Sequence, residues 1–290
     1  MTTAAPIRST RPVQEFVLHV LRNECLEVVV APELGGKVIS LTDLRSGRDW
    51  FAPEQTPRLF RNKPGDDFAT STLLGWDECL PTIAACCADG RTLPDHGELW
   101  TVRWRVEETG SNDLRLSTYL SIAPLHFTRT LSLSGPVLTA EYALTNESDA
   151  PQKYLWAMHP LITPRNGDHI ELTKEARQQL DAPWLDTLKF GAGIPALAKV
   201  FARNLTVGRA AVVNDHSGER LQFEWNADEN NTLGIWLTRG GWNGCHHLAL
   251  EPTNAPTDSL AAVDPNDPRA LLAPRETRNW TVRLQLASRS

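Results

Sequence analysis

The strongest constraint on the fold is an alternation of apolar and polar residues with a period of two. Successive side chains of a strand point to opposite faces, so this pattern predicts strands with one buried face. The alternating segments lie at residues 100–106, 114–122, 138–144, 221–225 and 280–286. Turn-forming residues separate them, for example at 134–136 and 146–151. Many short strands at this spacing predict an all-β chain built as an antiparallel sandwich.

The 290 residues are predicted to form one domain, because no change of composition marks a linker and all-β units reach this length. We expect residues 1–14 to form a loose tail and residues 15–290 to form the domain. Helical spacing is scarce. It predicts two short helices, at 173–180 and 195–203.

Charge and composition exclude several classes of function. The net charge is −6 and no run of Lys or Arg stands out, which argues against a nucleic-acid partner. No stretch approaches 18 apolar residues, so no membrane span is predicted. The five cysteines form no CxxC or zinc-ribbon spacing, which indicates free thiols in a reducing, cytoplasmic compartment and no metal site.

Three short strings place ionisable side chains beside strands. His96 and Gly97 come just before a strongly alternating strand, His159 ends a strand before a proline, and Glu251 does the same. In the second and third strings the polar residue shares strand parity with small or apolar residues. A histidine or glutamate on such a face is either buried and paired or lines a pocket.

A carboxylate and an imidazolium suit the exchange of sugar anomers. A base removes the proton of the anomeric hydroxyl while an acid protonates the ring oxygen, and the opened chain rotates and closes again. This chemistry needs no metal and no nucleotide. The acid and base should lie about a sugar's width apart and give a bell-shaped pH profile. Each residue alone is more often structural, and only the ordered trio is specific.

In this order the three strings resemble the aldose 1-epimerase (galactose mutarotase) family. The resemblance extends to the glycine-rich hairpin at 35–41 and to the late strands. It implies a β-supersandwich with an open cleft for a monosaccharide and no cofactor. It also implies that Glu251 is the base, that His159 is the acid toward the ring oxygen, and that His96 hydrogen-bonds the sugar.

The chain departs from the family at residues 75–81. Galactose mutarotases carry an arginine-containing string there, whereas this sequence has Asp77 and Glu78. The two carboxylates either accept hydrogen bonds from sugar hydroxyls or cap the turn. Indole faces suit the C–H surfaces of sugars, which makes Trp76 and Trp236 further candidates for substrate contacts, and Arg165 is another.

Three alternatives stay open. A hexose-6-phosphate epimerase shares the architecture and needs converging cations; the candidates, which form no recognisable cluster in the sequence, are Arg61, Lys63, Arg165 and Arg239. A non-catalytic carbohydrate-binding or sugar-sensing module would retain the cleft, but loss of His159 or Glu251 would favour it and both are present. A lyase or hydrolase on a similar sandwich needs a tyrosine base or two opposed carboxylates, and none of the three tyrosines lies in a convincing setting.

Overall fold

A computed structural model describes residues 6–52, 58–107, 112–186 and 195–287. Its strands, numbered β1–β22 in chain order, form two large sheets and two small ones. The first large sheet has the spatial order β1 (Ile7–Val13), β2 (Phe16–Arg22), β3 (Leu26–Ala31), β4 (Lys37–Asp43), β6 (Gly75–Cys79), β14 (Ala157–Leu161), β20 (His246–Thr253), β19 (Thr232–Arg239) and β16 (Leu197–Ala202), with β5 (Arg48–Asp49) paired to β4.

The second large sheet packs against the first. Its order is β15 (Asp168–Leu172), β17 (Gly208–Asn214), β18 (Arg220–Trp225), β22 (Thr277–Ala287), β12 (Val137–Asn146), β11 (Leu125–Ser134), β10 (Asp113–Tyr119) and β9 (Arg105–Val106). The small sheets pair β7 (Cys86–Ala88) with β8 (Arg91–Leu93), and β13 (Gln152–Lys153) with β21 (Leu271–Leu272). The predicted all-β antiparallel sandwich is confirmed.

Helical structure is short wherever the chain is described. The α-helix α1 spans Lys174–Gln179, and Thr173 caps it by accepting a hydrogen bond from the backbone N–H of Ala176. This confirms the helix predicted at 173–180. In the described part of the chain, 3-10 helices lie at Phe68–Thr70, Pro183–Asp186, Leu260–Ala262 and Pro268–Ala270. No helix in the described ranges is long and apolar enough to cross a bilayer.

The helix predicted at 195–203 is wrong. Residues Leu197–Ala202 form β16, which pairs along its whole length with β19. Six residues are too few for helical periodicity to decide the structure, and the hydrogen bonds offered by the edge of the first sheet outweigh a weak local preference.

The loose tail predicted for residues 1–14 is also wrong for Ile7–Val13. This segment is β1, which pairs in register with β2 from Ile7 opposite Arg22 to Val13 opposite Phe16. Its side chains are mostly exposed, so its sequence lacks the apolar alternation that reveals a half-buried strand. Residues 1–5 lie outside the described part.

The main core fills the space between the two large sheets. It takes alternate residues of both, for example Val28 and Leu250 from the first sheet with Leu131 and Val282 from the second. The inward-facing residues of the first sheet are committed to this core, so a site on that sheet must use the outward-facing ones. All five cysteines are free thiols. A cytoplasmic location stays a prediction.

Candidate functional site

A cavity of about 940 Å³ opens on the outer face of the first sheet. Its floor comes from β14, β19 and the edge strand β16, and its walls include loops at residues 64–68, 83–85 and 92–98. The size suits a small-molecule ligand. Residues 64–68, which precede β6 and form no strand, therefore form part of the cleft rim, as irregular loops often do.

Strand parity brings the polar residues to this face. Four neighbouring strands direct side chains to this face. His159 of β14, Trp236 of β19 and Lys199 of β16 line the cavity, and Glu251 of β20 lies buried directly behind His159 and Lys199. The residues next to them in sequence, such as Met158 and Leu250, face the core. The predicted convergence of distant strings therefore follows from the antiparallel order of these strands.

Glu251 lies beneath the cavity lining and has no exposed surface. Its cross-strand partner is Gly234. A Cβ at position 234 would lie 3.0 Å from Glu251 Oε2 and 3.2 Å from a ring carbon of Phe201. The glycine thus provides the space in which the carboxylate sits.

Two cationic or potentially cationic groups flank the Glu251 carboxylate. The distance from His159 Nε2 to Glu251 Oε1 is 3.7 Å, and the distance from Lys199 Nζ to Glu251 Oε2 is 2.8 Å. Burial raises the pKa of Glu251, and the Lys199 ammonium opposes that shift. His159 and Glu251 are closer than the sugar's width expected from the sequence, because they belong to adjacent strands.

The surroundings of His159 act on its pKa. Burial lowers the pKa of His159 well below the ordinary value, and the neighbouring His96 and Lys199 lower it further. This shift disfavours the protonated form of His159 that the role of acid implies. Its ring lies 5.0 Å from the ring of His96, edge to face.

His96 reaches the cavity from a constrained loop. Its φ is +57°, and that of Gly97 is +70°. A Cβ on Gly97 would collide with the backbone of Leu80, so only glycine fits there. The imidazole of His96 stacks on Phe68 at 3.9 Å, and its Nδ1 lies 3.0 Å from an oxygen of Asp95.

Solved structures with this architecture come from several bacteria. A galactose mutarotase-like protein from Clostridium acetobutylicum is 14% identical with a TM-score of 0.75, covering 98% of this chain and 99% of that one. The chain has the galactose mutarotase-like fold. A galactose mutarotase related enzyme from Lactobacillus acidophilus (12%, TM-score 0.66) covers 93% and 97% of the two chains. A galactose mutarotase-like protein from Lactobacillus casei (15%, TM-score 0.64) covers 93% and 100%.

No protein-family model and no curated protein matches this sequence. At identities this low the likeness of the solved structures extends to the fold, and function has to be argued from the site itself. Within the described ranges, no group of three or more His, Cys, Asp or Glu residues is placed to hold a metal ion.

Three residues expected to contact sugar lie elsewhere in this mutarotase-like fold. Trp76 and Glu78 are the inward-facing residues of β6 and are completely buried in the core. Glu78 accepts hydrogen bonds from Arg129, Tyr142 and Trp156. Arg165 lies in an exposed loop between β14 and β15 and is not part of the cavity lining.

Asp77 faces outward but lies beneath the cavity. It is 1% exposed and forms a buried ion pair with Lys37, whose ammonium also donates to the backbone carbonyls of Thr72 and Leu74. Neither the sugar-contact nor the turn-capping interpretation describes this position. Trp236, by contrast, is half-buried and lines the cavity next to Trp242.

The cavity residues that were not singled out from the sequence include Phe68, Lys199 and Asp258. Lys199 lies in the segment 195–203, for which the sequence predicts a helix, so its position on the outer face of a strand was not predicted. Phe68 and Asp258 come from irregular segments that have no periodic signal. Asp258 is fixed because its backbone carbonyl accepts hydrogen bonds from the N–H groups of Ile83 and Ala84.

Proposed function

We propose that this chain is an isomerase of the aldose 1-epimerase type that interconverts the α and β anomers of an unphosphorylated sugar. The observation that carries the proposal is that His96 and His159 line one open cavity and that the buried carboxylate of Glu251 lies 3.7 Å behind the imidazole of His159. A carboxylate and imidazoles grouped at one small-molecule site are what acid–base ring opening requires.

In the proposed reaction Glu251 takes the proton of the anomeric hydroxyl. The C1–O bond of the ring breaks, its electron pair moves to the ring oxygen, and that oxygen receives a proton from the imidazole pair. Of the two rings, His96 has a carboxylate beside it at 3.0 Å, whereas burial lowers the pKa of His159. The proposal therefore assigns the donation of this proton to His96. Reclosure on the other face of the carbonyl reverses both transfers.

The charge of the cavity supports an unphosphorylated substrate. Of the described side chains that line it, five are acidic and one is a lysine. The lysine, Lys199, already lies between two carboxylates. The cations considered from the sequence for a phosphate, namely Arg61, Lys63, Arg165 and Arg239, are not in the lining. A phosphate here would meet net negative charge without a converging cation pair.

Anomer-exchange NMR on a panel of free and phosphorylated aldoses tests the proposal. We expect an enzyme-dependent rate with at least one free aldose, and a loss of about 10²–10⁴-fold in Glu251→Gln, which keeps the shape but removes the base. Binding of the sugar should persist in the variant. No enzyme-dependent rate with any sugar, together with measurable binding, would instead identify a sugar-binding module.

A further inference from the structure

Lys199 is the group closest to the carboxylate of Glu251. Its Nζ lies 2.8 Å from Glu251 Oε2 and 2.6 Å from Asp258 Oδ1, and 5.4 Å from the ring centre of Phe201. Only 19% of the lysine side chain is exposed, at the cavity wall. A flexible lysine is rarely held on three sides, and this one joins a completely buried carboxylate to a partly exposed one.

The ammonium distinguishes the two oxygens of Glu251. Oε2 is engaged by Lys199, whereas Oε1 faces the imidazole of His159 at 3.7 Å. Proton transfer needs one oxygen in a fixed position, and a carboxylate held at one oxygen cannot rotate freely. We propose that Lys199 is the positioning residue of the base, which fixes Oε1 as the oxygen that exchanges the proton, and that Asp258 in turn holds Lys199.

This inference rests on the proposed function of the cavity. It adds to that function a lysine–aspartate pair behind the base, supplied by an edge strand and by the loop after β20. It also explains why β16 has to be a strand. Lys199 and Phe201 reach the same face only with a spacing of two, and a helix would separate them.

The two residues of the pair shift the pKa of Glu251 in opposite directions. An opposite charge within about 4–6 Å lowers the pKa of a carboxyl by about 1–3 units, and a like charge raises it. Lys199 accordingly lowers the pKa of Glu251, whereas Asp258 raises it. Glu251 has to be ionised to act as base, so activity is lost as the pH falls through its pKa.

The other ionisable groups around Glu251 stay unchanged in this comparison. They come from the elements packed against it and are Cys79 on β6, His96 in the cavity wall, His159 on β14 and, farther away, the Lys37–Asp77 pair. Burial raises the pKa of the Cys79 thiol, so Cys79 carries no charge over the range of interest. A change in the titration of Glu251 in the two variants below can therefore be attributed to the lysine–aspartate pair.

The test compares Lys199→Met with Asp258→Asn. We expect the acidic limb of the kcat/KM profile to move up by about 1–3 pH units in Lys199→Met, and to move down by a smaller amount in Asp258→Asn. Lys199→Arg should restore most of the parent profile. Lys153→Met is the matched control, since Lys153 forms an ion pair with Asp89 outside the cavity. It should leave the limb in place.

Carbon-13 NMR can follow the titration of the Glu251 carboxyl, with its signal assigned by comparison with Glu251→Gln. This measurement should show the same two opposite pKa shifts, and it does not require enzyme activity. It therefore separates this inference from the proposed function: a protein without epimerase activity can still show the opposite shifts. If Lys199→Met does not fold, the downward shift of the Glu251 pKa in Asp258→Asn still tests the inference. Shifts of the same sign in both variants, or a limb unmoved in either, would overturn the inference.

Discussion

Asp77 and His159 are direct partners across the β6–β14 ladder, so their side chains leave the sheet on the same face. Yet His159 lines the cavity, and Asp77 lies below it with its carboxylate on Lys37. Asp77 therefore supports the cavity floor from below and is not a sugar contact.

Asp77→Asn should therefore weaken the fold and leave the affinity for sugar unchanged. The substitution leaves the buried Lys37 ammonium without its carboxylate partner. Breaking a buried ion pair in this way costs about 3–5 kcal/mol in the free energy of unfolding. Urea denaturation measures this cost. Removing both charges, in Asp77→Asn with Lys37→Met, should recover part of it. An affinity reduced about tenfold at unchanged stability would restore the sugar-contact interpretation.

Glu78→Gln should likewise act on stability and spare sugar binding. Glu78 and Arg129 are both fully buried, and the carboxylate also accepts from Tyr142 and Trp156. We expect a loss of about 3–5 kcal/mol in the free energy of unfolding. Glu141→Gln, on the exposed face of β12, is the control and should change stability by less than about 0.5 kcal/mol. Equal stabilities for the two variants would contradict the role of Glu78 in the core.

Gly234→Ala should lower kcat while the fold persists. Gly234 has no positive φ, so alanine introduces no backbone strain, but its Cβ would press on Glu251 Oε2 at 3.0 Å. The base must then shift by a few tenths of an ångström. Since a misplacement of about 1 Å costs on the order of 10²-fold, we expect up to about a tenfold loss. Anomer-exchange rates and thermal unfolding, measured together, check this; an unchanged kcat would show that the position of Oε2 is not critical.

His159→Gln should leave the basic limb of the pH profile in place. Burial lowers the pKa of His159 well below its ordinary value, whereas His96 lies 3.0 Å from Asp95. The basic limb should therefore persist in His159→Gln, although this variant loses activity. Profiles of kcat/KM between pH 4 and 9 would show it. The reverse result would return the role of acid to His159, as the family resemblance implied.

The sequence by itself determined the fold class and the three strings at the cavity. Alternation with period two records which face of each strand is buried, and it is a local property that survives without knowledge of neighbours. The parity of β14 and β20 likewise fixes that His159 shares a face with Ala157, and Glu251 with Ala249. These features were predictable because they depend on the direction of side chains along one strand.

Only the tertiary structure decided which candidates face the cavity and what surrounds the base. Trp76 and Asp77 are consecutive, and which of them faces the core depends on the sheet that packs against β6. Lys199 reaches Glu251 because β16 pairs with β19 at the edge of the sheet, a long-range contact with no local signal. The lowered pKa of His159 has the same origin. Burial shifts its pKa, and burial is a property of the assembled fold.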